Sequence, residues 1–437
     1  MNGAHVGTWS TAPHGQEVLE YAEEWRDGAL GRPLSLSLPL LAGGQALRGE
    51  VVRNYFENLL PDSKQLRERI ARRHHTDSTQ AFDLLAEVGR DCAGALQILP
   101  FGTVPAGITK VDATPLTEKE VASRIRNMLA PAALTQEEDD DFRISIAGAQ
   151  EKTALTFFDD RWCLPHGATP TTHILKLPLG LVGGQQYDLR DSVENEWLCA
   201  RILQAFGLPV ADCQPLQFED VKVLSVKRFD RTRWTSPEGD ERLVRLPQED
   251  MCQATGNPPW MKYESDGGPG MDAIFKLLRN SSERGHDLLV FFQTQVLFWM
   301  LCATDGHAKN FSIFLQPGGR YRSTPLYDVL SAYPVLGKKT GQISPFKAKM
   351  AMAFRSTNVY YRMREIQRRH LLAVGSRHGV VGAVGETVDE VLDSIAERTP
   401  GVIAAVSAQL PKDFPAYVAE AIFQGLAQAA KKLKSGD

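Results

Sequence analysis

One long apolar stretch constrains the fold of this chain more than any other feature of its sequence. It runs from Leu288 to Ala303 and is interrupted by the polar residues 293–295. A stretch of this length and polarity is too short and too polar to span a bilayer, so it predicts a helix buried in a protein core. The chain has 437 residues. At roughly 100–200 residues per domain, we expect two to four domains.

Composition narrows the class of protein. Hydrophobic residues make up 43% and charged residues 23%, which is typical of a globular protein. The net charge of −4 gives no global basic field toward nucleic acid or anionic lipid, although it allows a local basic patch. The six cysteines form no CxxC pair, and the N-terminus has no apolar core of signal-peptide length. We therefore expect buried free thiols in a reducing cytoplasm.

Hydrophobic periodicity predicts an α+β chain in three regions, with boundaries at residues 1–140, 141–247 and 248–437. The first region is mixed, with a strand at 34–40, two or three short helices within 51–100, and an acidic connector at 137–141. The second is rich in strands, predicted at 143–146, 153–158, 173–177 and 221–226, with one helix at 192–206. The third is mostly helical, apart from one hairpin at 311–326.

Two acidic residues and an asparagine follow the predicted buried helix. Asp305 and Asn310 are separated by four residues, and a predicted hairpin then leads to Asp328. This is the spacing of a kinase catalytic loop, in which the aspartate accepts the substrate hydroxyl proton and the asparagine holds a metal. Asp328 adds the hard oxygen ligand that Mg²⁺ prefers. Each aspartate alone is also typical of a turn, but the combination favours the catalytic interpretation.

A lysine stands inside an apolar strand upstream. Lys176 is costly to bury there unless it is paired or bound to an anion. Glu194 or Glu196, on the helix that follows, is the expected partner, as in the strand-lysine and helix-glutamate pair of kinases. The alternative is a lysine that extends to solvent from an edge strand.

Two further segments suit a nucleotide. Residues 146–152 contain small side chains that let backbone N–H groups approach phosphate. They have a single glycine, so they form neither a Walker A loop nor a GxGxxG motif. An ordinary hairpin turn is the alternative. Residues 226–230 follow the next strand, where backbone groups of a hinge would bind adenine.

Motifs along nearly the whole chain resemble the HipA family, the serine/threonine-protein kinase toxins of bacterial type II toxin–antitoxin modules. The motifs are SIAGAQEKT from Ser145, KRFDR from Lys227, PQEDMCQ from Pro247, KYESDGG from Lys262, ATDGHAKN from Ala303 and LYD from Leu326. Two N-terminal segments, 33–39 and 58–62, add to the resemblance.

The resemblance implies a bilobal protein-kinase-like fold, with a mixed α/β N-terminal lobe and a mostly helical C-terminal lobe, that uses ATP and Mg²⁺. It implies Asp305 as the base, and Asn310 and Asp328 as metal ligands. The implied nucleotide contacts are Ala147, Gly148, Ala149, Gln150, Glu151, Lys152, Lys176, Lys227, Arg228, Phe229, His307, Ala308, Lys309, Asn310, Tyr327 and Asp328. One departure is Lys227, where relatives usually carry Glu, so a side-chain contact to ribose would be lost or changed.

The resemblance also implies partners and regulation. The target would be a cytosolic protein, in the best-known members glutamate–tRNA ligase, whose phosphorylation inhibits translation and promotes growth arrest and persistence. A small helix-turn-helix antitoxin, HipB, would neutralise the toxin. Ser145 occupies the position that family members phosphorylate themselves, which expels the phosphate loop.

The locally basic segment 361–370 is implied to contact operator DNA phosphates within a toxin–antitoxin complex, through Arg364, Arg368 and Arg369. A solvated helix face is the alternative. For the whole protein, a kinase-fold module that mainly co-represses with its antitoxin is the competing function, and a small-molecule kinase is a third. The four residues Lys176, Asp305, Asn310 and Asp328 favour the protein kinase.

Overall fold

The computed structural model describes residues 1–105, 107–108, 110–129, 150–184, 186–236, 239 and 241–435. Helices α1 to α12 cover Glu23–Arg26, Glu50–Glu57, Lys64–His74, Ala81–Val88, Glu118–Leu129, Ser192–Ala205, Met251–Ala254, Met271–Leu278, Arg284–Met300, Arg368–His378, Val388–Ser407 and Ala416–Ser435. Strands β1 to β9 cover Gly7–Thr11, Glu17–Tyr21, Leu47–Arg48, Ala113–Pro115, Lys152–Phe158, Arg161–Pro165, His173–Lys176, Gly180–Val182 and Tyr187–Leu189. Strands β10 to β18 cover Cys213–Phe218, Val221–Lys227, Arg231–Thr235, Glu241–Arg245, Gln248–Asp250, Ser312–Leu315, Tyr321–Ser323, Lys349–Arg355 and Val359–Arg362.

The chain forms two compact units. The first comprises Met1–Leu177, Leu216–Trp260 and Ser312–Tyr321, and the second comprises the remaining segments, Pro178–Pro215, Met261–Phe311 and Arg322–Asp437. These units divide the chain at other positions than residues 140 and 247, and the predicted domain boundaries stay a prediction.

The N-terminal part of the first unit places helices against a small sheet. Strands β1, β2 and β3 form the sheet, and α2, α3 and α4 are the short helices predicted within 51–100. Their apolar faces bury Phe56, Ile70 and Leu84, and the indole of Trp9 stacks on Phe56 with ring centroids 3.7 Å apart. Burial of these side chains supplies the main stabilisation of this part.

A six-stranded sheet carries the centre of the first unit. Its strand order is β10-β11-β7-β5-β6-β4, and the pairings β11–β7 and β7–β5 are antiparallel. Leu175 and Val223 are fully buried beneath α5. The strands predicted at 153–158, 173–177 and 221–226 are thus confirmed. The helix predicted at 192–206 is also confirmed; it is α6, which belongs to the second unit.

Helix α9 is the buried centre of the second unit. Almost every side chain from Asp287 to Met300 is buried along it, which confirms the helix predicted from the apolar stretch. Trp299 donates its indole N–H to the Met363 carbonyl at 2.9 Å, so even its polar atom is satisfied within the core. Within the described ranges, no helix is both long and apolar enough to cross a bilayer.

The structure differs from the prediction at residues 34–40 and in the third region. Residues 34–40 form a turn with a single bridge between Ser35 and Leu38 instead of a strand. The hydroxyls of Ser35 and Ser37 both donate to the Gln253 carbonyl, so the serines that suggested the outer face of a strand are used in a tertiary contact. The β17–β18 hairpin was not predicted. The predicted strand 143–146 and connector 137–141 lie outside the described residues.

Candidate active site

The loop after α9 is built around one asparagine. The Asn310 amide nitrogen donates to the Asp305 carbonyl at 2.9 Å and to the Asp328 carbonyl at 3.4 Å. The His307 backbone N–H also donates to the Asp305 carbonyl, at 2.8 Å. Asn310 is 4% exposed. The structure therefore brings together the three residues that the sequence singled out for catalysis and metal binding.

Asp328 has an unusual backbone conformation. Its φ is 61°, in the left-handed region that residues other than glycine rarely adopt. Tyr327, which precedes it, donates its hydroxyl to the Lys309 carbonyl at 2.9 Å, so the two predicted segments are tied to each other. Strained backbone that the surroundings hold in place is typical of functional sites.

Tyr263 is a site residue that the sequence analysis did not identify. Its hydroxyl donates to Oδ1 of Asp305. Its ring meets the His307 ring edge to face, with centroids 5.0 Å apart. Only the KYESDGG motif marks Tyr263 in the sequence, because Tyr263 and Asp305 are 42 positions apart and only the fold brings them together.

Two lysines concentrate positive charge in the centre of the six-stranded sheet. Lys176 on β7 is 7% exposed, and Lys152 on β5 lies directly opposite it in register. Like charges at opposed positions destabilise a sheet, and a bound anion removes that repulsion. Glu194 and Glu196 are both buried on α6. A pair between either of them and Lys176 stays a prediction.

The described residues include only the end of the predicted phosphate loop, residues 150–152. Ser145, Ala147, Gly148 and Ala149 lie outside the described residues. Gln150 donates its amide nitrogen to the Leu177 carbonyl. The carboxylate of Glu151 accepts from Arg69 on α3 at 2.8 Å, so it is engaged by the N-terminal part of the same unit.

The predicted hinge is anchored through a buried arginine. Arg228 is 5% exposed, and its guanidinium donates to Asp91 at 3.1 Å and to Asp230 at 2.9 and 3.0 Å. Any nucleotide contact of Arg228 can therefore come only from its backbone. Lys227 is exposed at the end of β11, and Phe229 packs edge-on against Phe314 with centroids 5.7 Å apart.

Asp91 is the centre of a buried ionic cluster around this hinge. Its carboxylate accepts from Arg228, Arg231 and Arg245, all of them buried. Burial alone would raise the pKa of Asp91, but the three guanidinium groups hold it well below its usual value. Burial dominates for Arg231 and lowers its pKa to about 10. The cluster joins residues from widely separated parts of the chain, so it fixes the hinge to the N-terminal region.

The basic segment 361–370 is not one helix. It comprises the end of β18, a short turn and the start of α10. The Arg368 side chain is only 11% exposed and pairs with Asp389 at 2.7 Å and Asp393 at 2.8 Å. Arg364 and Arg369 are exposed, and the Arg364 guanidinium lies 4.9 Å from the centroid of the Phe346 ring.

Comparison with known proteins decides the family. The model of the HipA-like C-terminal domain matches residues 144–402, and the model of the HipA N-terminal domain matches residues 1–99. The chain belongs to the HipA family. Among curated proteins, it is 37% identical to the protein Y4mE of Sinorhizobium fredii over 344 residues, which cover 77% of this chain and 78% of that protein. It is 28% identical to the serine/threonine-protein kinase toxin HipA of Shewanella oneidensis over 439 residues, which cover 95% of this chain and 90% of that toxin.

A solved structure supports the same assignment. The complex of HipA, HipB and operator DNA from Shewanella oneidensis contains a chain that matches this fold with a TM-score of 0.75 at 26% identity. The match covers 98% of this chain and 94% of that chain. The family, the protein-kinase-like α+β fold and the class of serine/threonine-protein kinase predicted from the sequence are thus confirmed.

Proposed function

We propose that this HipA-family kinase transfers the γ-phosphoryl group of ATP to a serine or threonine of a cytoplasmic protein and acts as the toxin of a toxin–antitoxin module. The observation that carries the proposal is that the Asn310 amide donates hydrogen bonds to the backbone carbonyls of both Asp305 and Asp328. This arrangement unites a carboxylate for the acceptor hydroxyl with one for a cation, as phosphoryl transfer requires.

Asp305 is the proposed base. Its carboxylate is exposed, so an acceptor hydroxyl can reach it. In the transfer, the acceptor O–H bond breaks, the proton passes to Asp305, the new O–P bond forms, and ADP leaves as the bond to the γ-phosphorus breaks. The acceptor supplies the hydroxyl and ATP supplies the phosphoryl group, so no further reactant is needed.

The donor set around Asn310 suits a hard divalent cation. The Asn310 amide nitrogen makes both hydrogen bonds, which directs the amide oxygen to a different partner. This oxygen and the Asp328 carboxylate would hold Mg²⁺, which neutralises charge on the ATP phosphates when bound. Hard oxygen ligands of this kind favour Mg²⁺ over softer metals.

The remaining proposed contacts with the nucleotide come from positively charged side chains and from backbone groups. Lys176 and Lys152 would bind phosphate oxygens, together with the backbone of residues 147–151. The backbone of residues 227–229 would bind adenine, and the family resemblance adds His307, Ala308, Lys309 and Tyr327 as proposed nucleotide contacts. The burial of Lys176 supports its assignment, since a buried ammonium is stabilised by a phosphate.

We extend the proposal to partners. The similar HipA of Shewanella oneidensis forms a complex with HipB and operator DNA, and we propose a HipB-type helix-turn-helix antitoxin and operator DNA as partners here. Arg364 and Arg369 are exposed and can bind DNA phosphates in such a complex. The two ion pairs of Arg368 suggest that it supports α10 against α11 instead.

The proposed target and self-regulation rest on the family resemblance. Glutamate–tRNA ligase is the proposed acceptor, which would link the activity to inhibited translation, growth arrest and persistence. Self-phosphorylation of Ser145 would place close to two negative charges next to the loop that binds ATP phosphates, and repulsion would release ATP. All six cysteines are free and buried, which suits action in a reducing cytoplasm.

Labelling in a lysate tests the proposal. The wild-type chain is incubated with γ-³²P-ATP, Mg²⁺ and a bacterial lysate, and labelled proteins are identified by mass spectrometry. We expect label on serine or threonine of one or a few lysate proteins, and one phosphate on the chain itself that is absent from Ser145→Ala. Label confined to small molecules would reject the protein-kinase proposal, and a phosphate that persists in Ser145→Ala would reject the self-regulation site.

A further inference from the structure

The motif at 262–268 forms a rigid turn. Tyr263 precedes a single 3-10 turn, Glu264–Asp266. The Tyr263 carbonyl accepts the backbone N–H of Asp266 at 3.1 Å and of Gly268 at 3.0 Å. A side chain at Gly268 would collide with the Met261 carbonyl, since a Cβ there would lie 1.7 Å from that oxygen. The glycine of the motif therefore permits the close packing that fixes the Tyr263 backbone.

Glu264 anchors this turn in the core of the second unit. Its side chain is 8% exposed, and its carboxylate accepts from the Arg355 guanidinium at 2.6 and 2.8 Å. It also accepts the backbone N–H of Ala353 on β17 at 2.6 Å. Side-chain hydrogen bonds to Glu264 raise the pKa of Arg355. These hydrogen bonds hold the buried Glu264 carboxylate in one position, and they thereby restrict the position of the adjacent Tyr263.

The turn holds the catalytic loop at two points. The Ala308 backbone N–H donates to the Lys262 carbonyl at 3.1 Å. The Tyr263 hydroxyl donates to Oδ1 of Asp305, and its ring packs on His307. The backbone contact fixes the loop, and the hydroxyl contact fixes the orientation of one carboxylate oxygen within it.

We infer that Tyr263 is a positioning residue for the base Asp305. The inference rests on the proposed kinase function. The phenol hydroxyl holds Oδ1, so Oδ2 is the oxygen that accepts the proton of the acceptor hydroxyl. Asp305 is an exposed side chain on a loop, and without this bond its carboxylate would sample several rotamers. Misplacement of a reacting group by about 1 Å can slow a reaction by about 100-fold.

Tyr263→Phe tests the inference because it keeps the ring on His307 and removes only the hydroxyl. The matched control is Tyr333→Phe, which removes a hydroxyl that donates to the Met300 carbonyl at 3.0 Å in the same unit. Transfer of ³²P from γ-³²P-ATP to acid-precipitable protein of a bacterial lysate is measured over a range of ATP concentrations. Thermal unfolding of each variant is recorded in parallel.

For Tyr263→Phe we expect the apparent kcat to fall about 10- to 100-fold. We expect its KM for ATP to stay within about twofold of the wild-type value, because positioning of the base contributes little to nucleotide binding. Tyr333→Phe is expected to retain the wild-type kcat. An unchanged kcat in Tyr263→Phe would overturn the inference, and an increased kcat would show that the hydroxyl blocks the base. No transfer by the wild type would instead reject the proposed function and the inference with it.

Discussion

Asp328 combines a strained backbone with a proposed metal-binding carboxylate. A left-handed φ is unfavourable for residues other than glycine, although aspartate tolerates it better than most, so the surrounding contacts must offset its cost. The Asn310 amide and the bond from Tyr327 to the Lys309 carbonyl are those contacts. These contacts therefore hold the backbone of Asp328 in an unfavourable conformation, which fixes the direction of its carboxylate.

Replacement of that carboxylate separates its metal role from its structural role. We expect Asp328→Ala to weaken binding of Mg²⁺–ATP at least about tenfold, because Mg²⁺ binding in such sites depends on one or two carboxylates. Binding of ATP in the presence of EDTA should be unchanged. Titration calorimetry under both conditions checks this expectation. Equal loss of affinity with and without Mg²⁺ would mean that Asp328 supports the fold of the pocket and does not bind the metal.

The loop that carries Asp305 depends on close packing against α9. A Cβ at Gly306 would lie 2.4 Å from the Phe298 ring. We expect Gly306→Ala to lower the free energy of unfolding by about 1–3 kcal/mol, since the ring and the loop must move apart. Phosphate transfer should fall as well, because the loop carries Asp305.

The matched control is Gly285→Ala, in the first turn of α9, where no atom beyond the adjacent residues and the helix backbone lies within 4 Å of the new Cβ. Alanine in a helix is more favourable than glycine by roughly 0.5–1 kcal/mol, so this variant should gain stability. Urea unfolding of the two variants compares them directly. A Gly306→Ala variant as stable as Gly285→Ala would contradict the account of the loop.

Strands and helices whose hydrophobic residues recur with a clear period were predicted well, and elements that lack such a period were not. The alternation of β5 and the helical spacing of α6 gave both elements almost to the residue. Strand β17 is buried at five consecutive positions, so its sequence shows no alternation and does not distinguish a strand from a helix. The serines of 34–40 alternate with leucines as in a half-buried strand. Their contact with Gln253 arises only in the fold, so the sequence does not show that they are used in this way.

The same distinction applies to the site. Asp305, Asn310, Asp328 and Lys176 could be singled out because their spacing or their burial in an apolar strand is local information. The contacts of Tyr263 with Asp305 and of Arg69 with Glu151 join residues 42 and 82 positions apart. A single sequence carries no period or motif that pairs such residues, because only the fold brings them into contact.

The cluster around Asp91 acts at the scale of the whole first unit. It links the N-terminal region to the proposed hinge and to β13 through buried guanidinium groups. Removal of one partner from such a cluster leaves a buried charge without compensation, which costs about 3–5 kcal/mol. We therefore expect Asp91→Asn to unfold at a markedly lower temperature and to bind ATP more weakly, because the hinge loses its anchor.

A surface ion pair provides the control for this prediction. Asp220 pairs with Arg126 while 78% of its side chain is exposed. Asp220→Asn should cost less than about 1 kcal/mol, as exposed pairs do. Thermal unfolding of both variants tests the contrast. Similar small losses in both would show that the Asp91 cluster does not hold the unit together.

The central claim is that Asp305 serves as the base of a protein kinase, and the rate of phosphate transfer by Asp305→Asn at saturating Mg²⁺–ATP tests it most directly. Asparagine keeps the size of the side chain and can still contact Tyr263, but it cannot accept the acceptor proton. General-base catalysis contributes about 10²–10⁴-fold, so transfer to lysate protein should fall at least about 100-fold relative to the wild type. Transfer at a rate close to that of the wild type would contradict the claim.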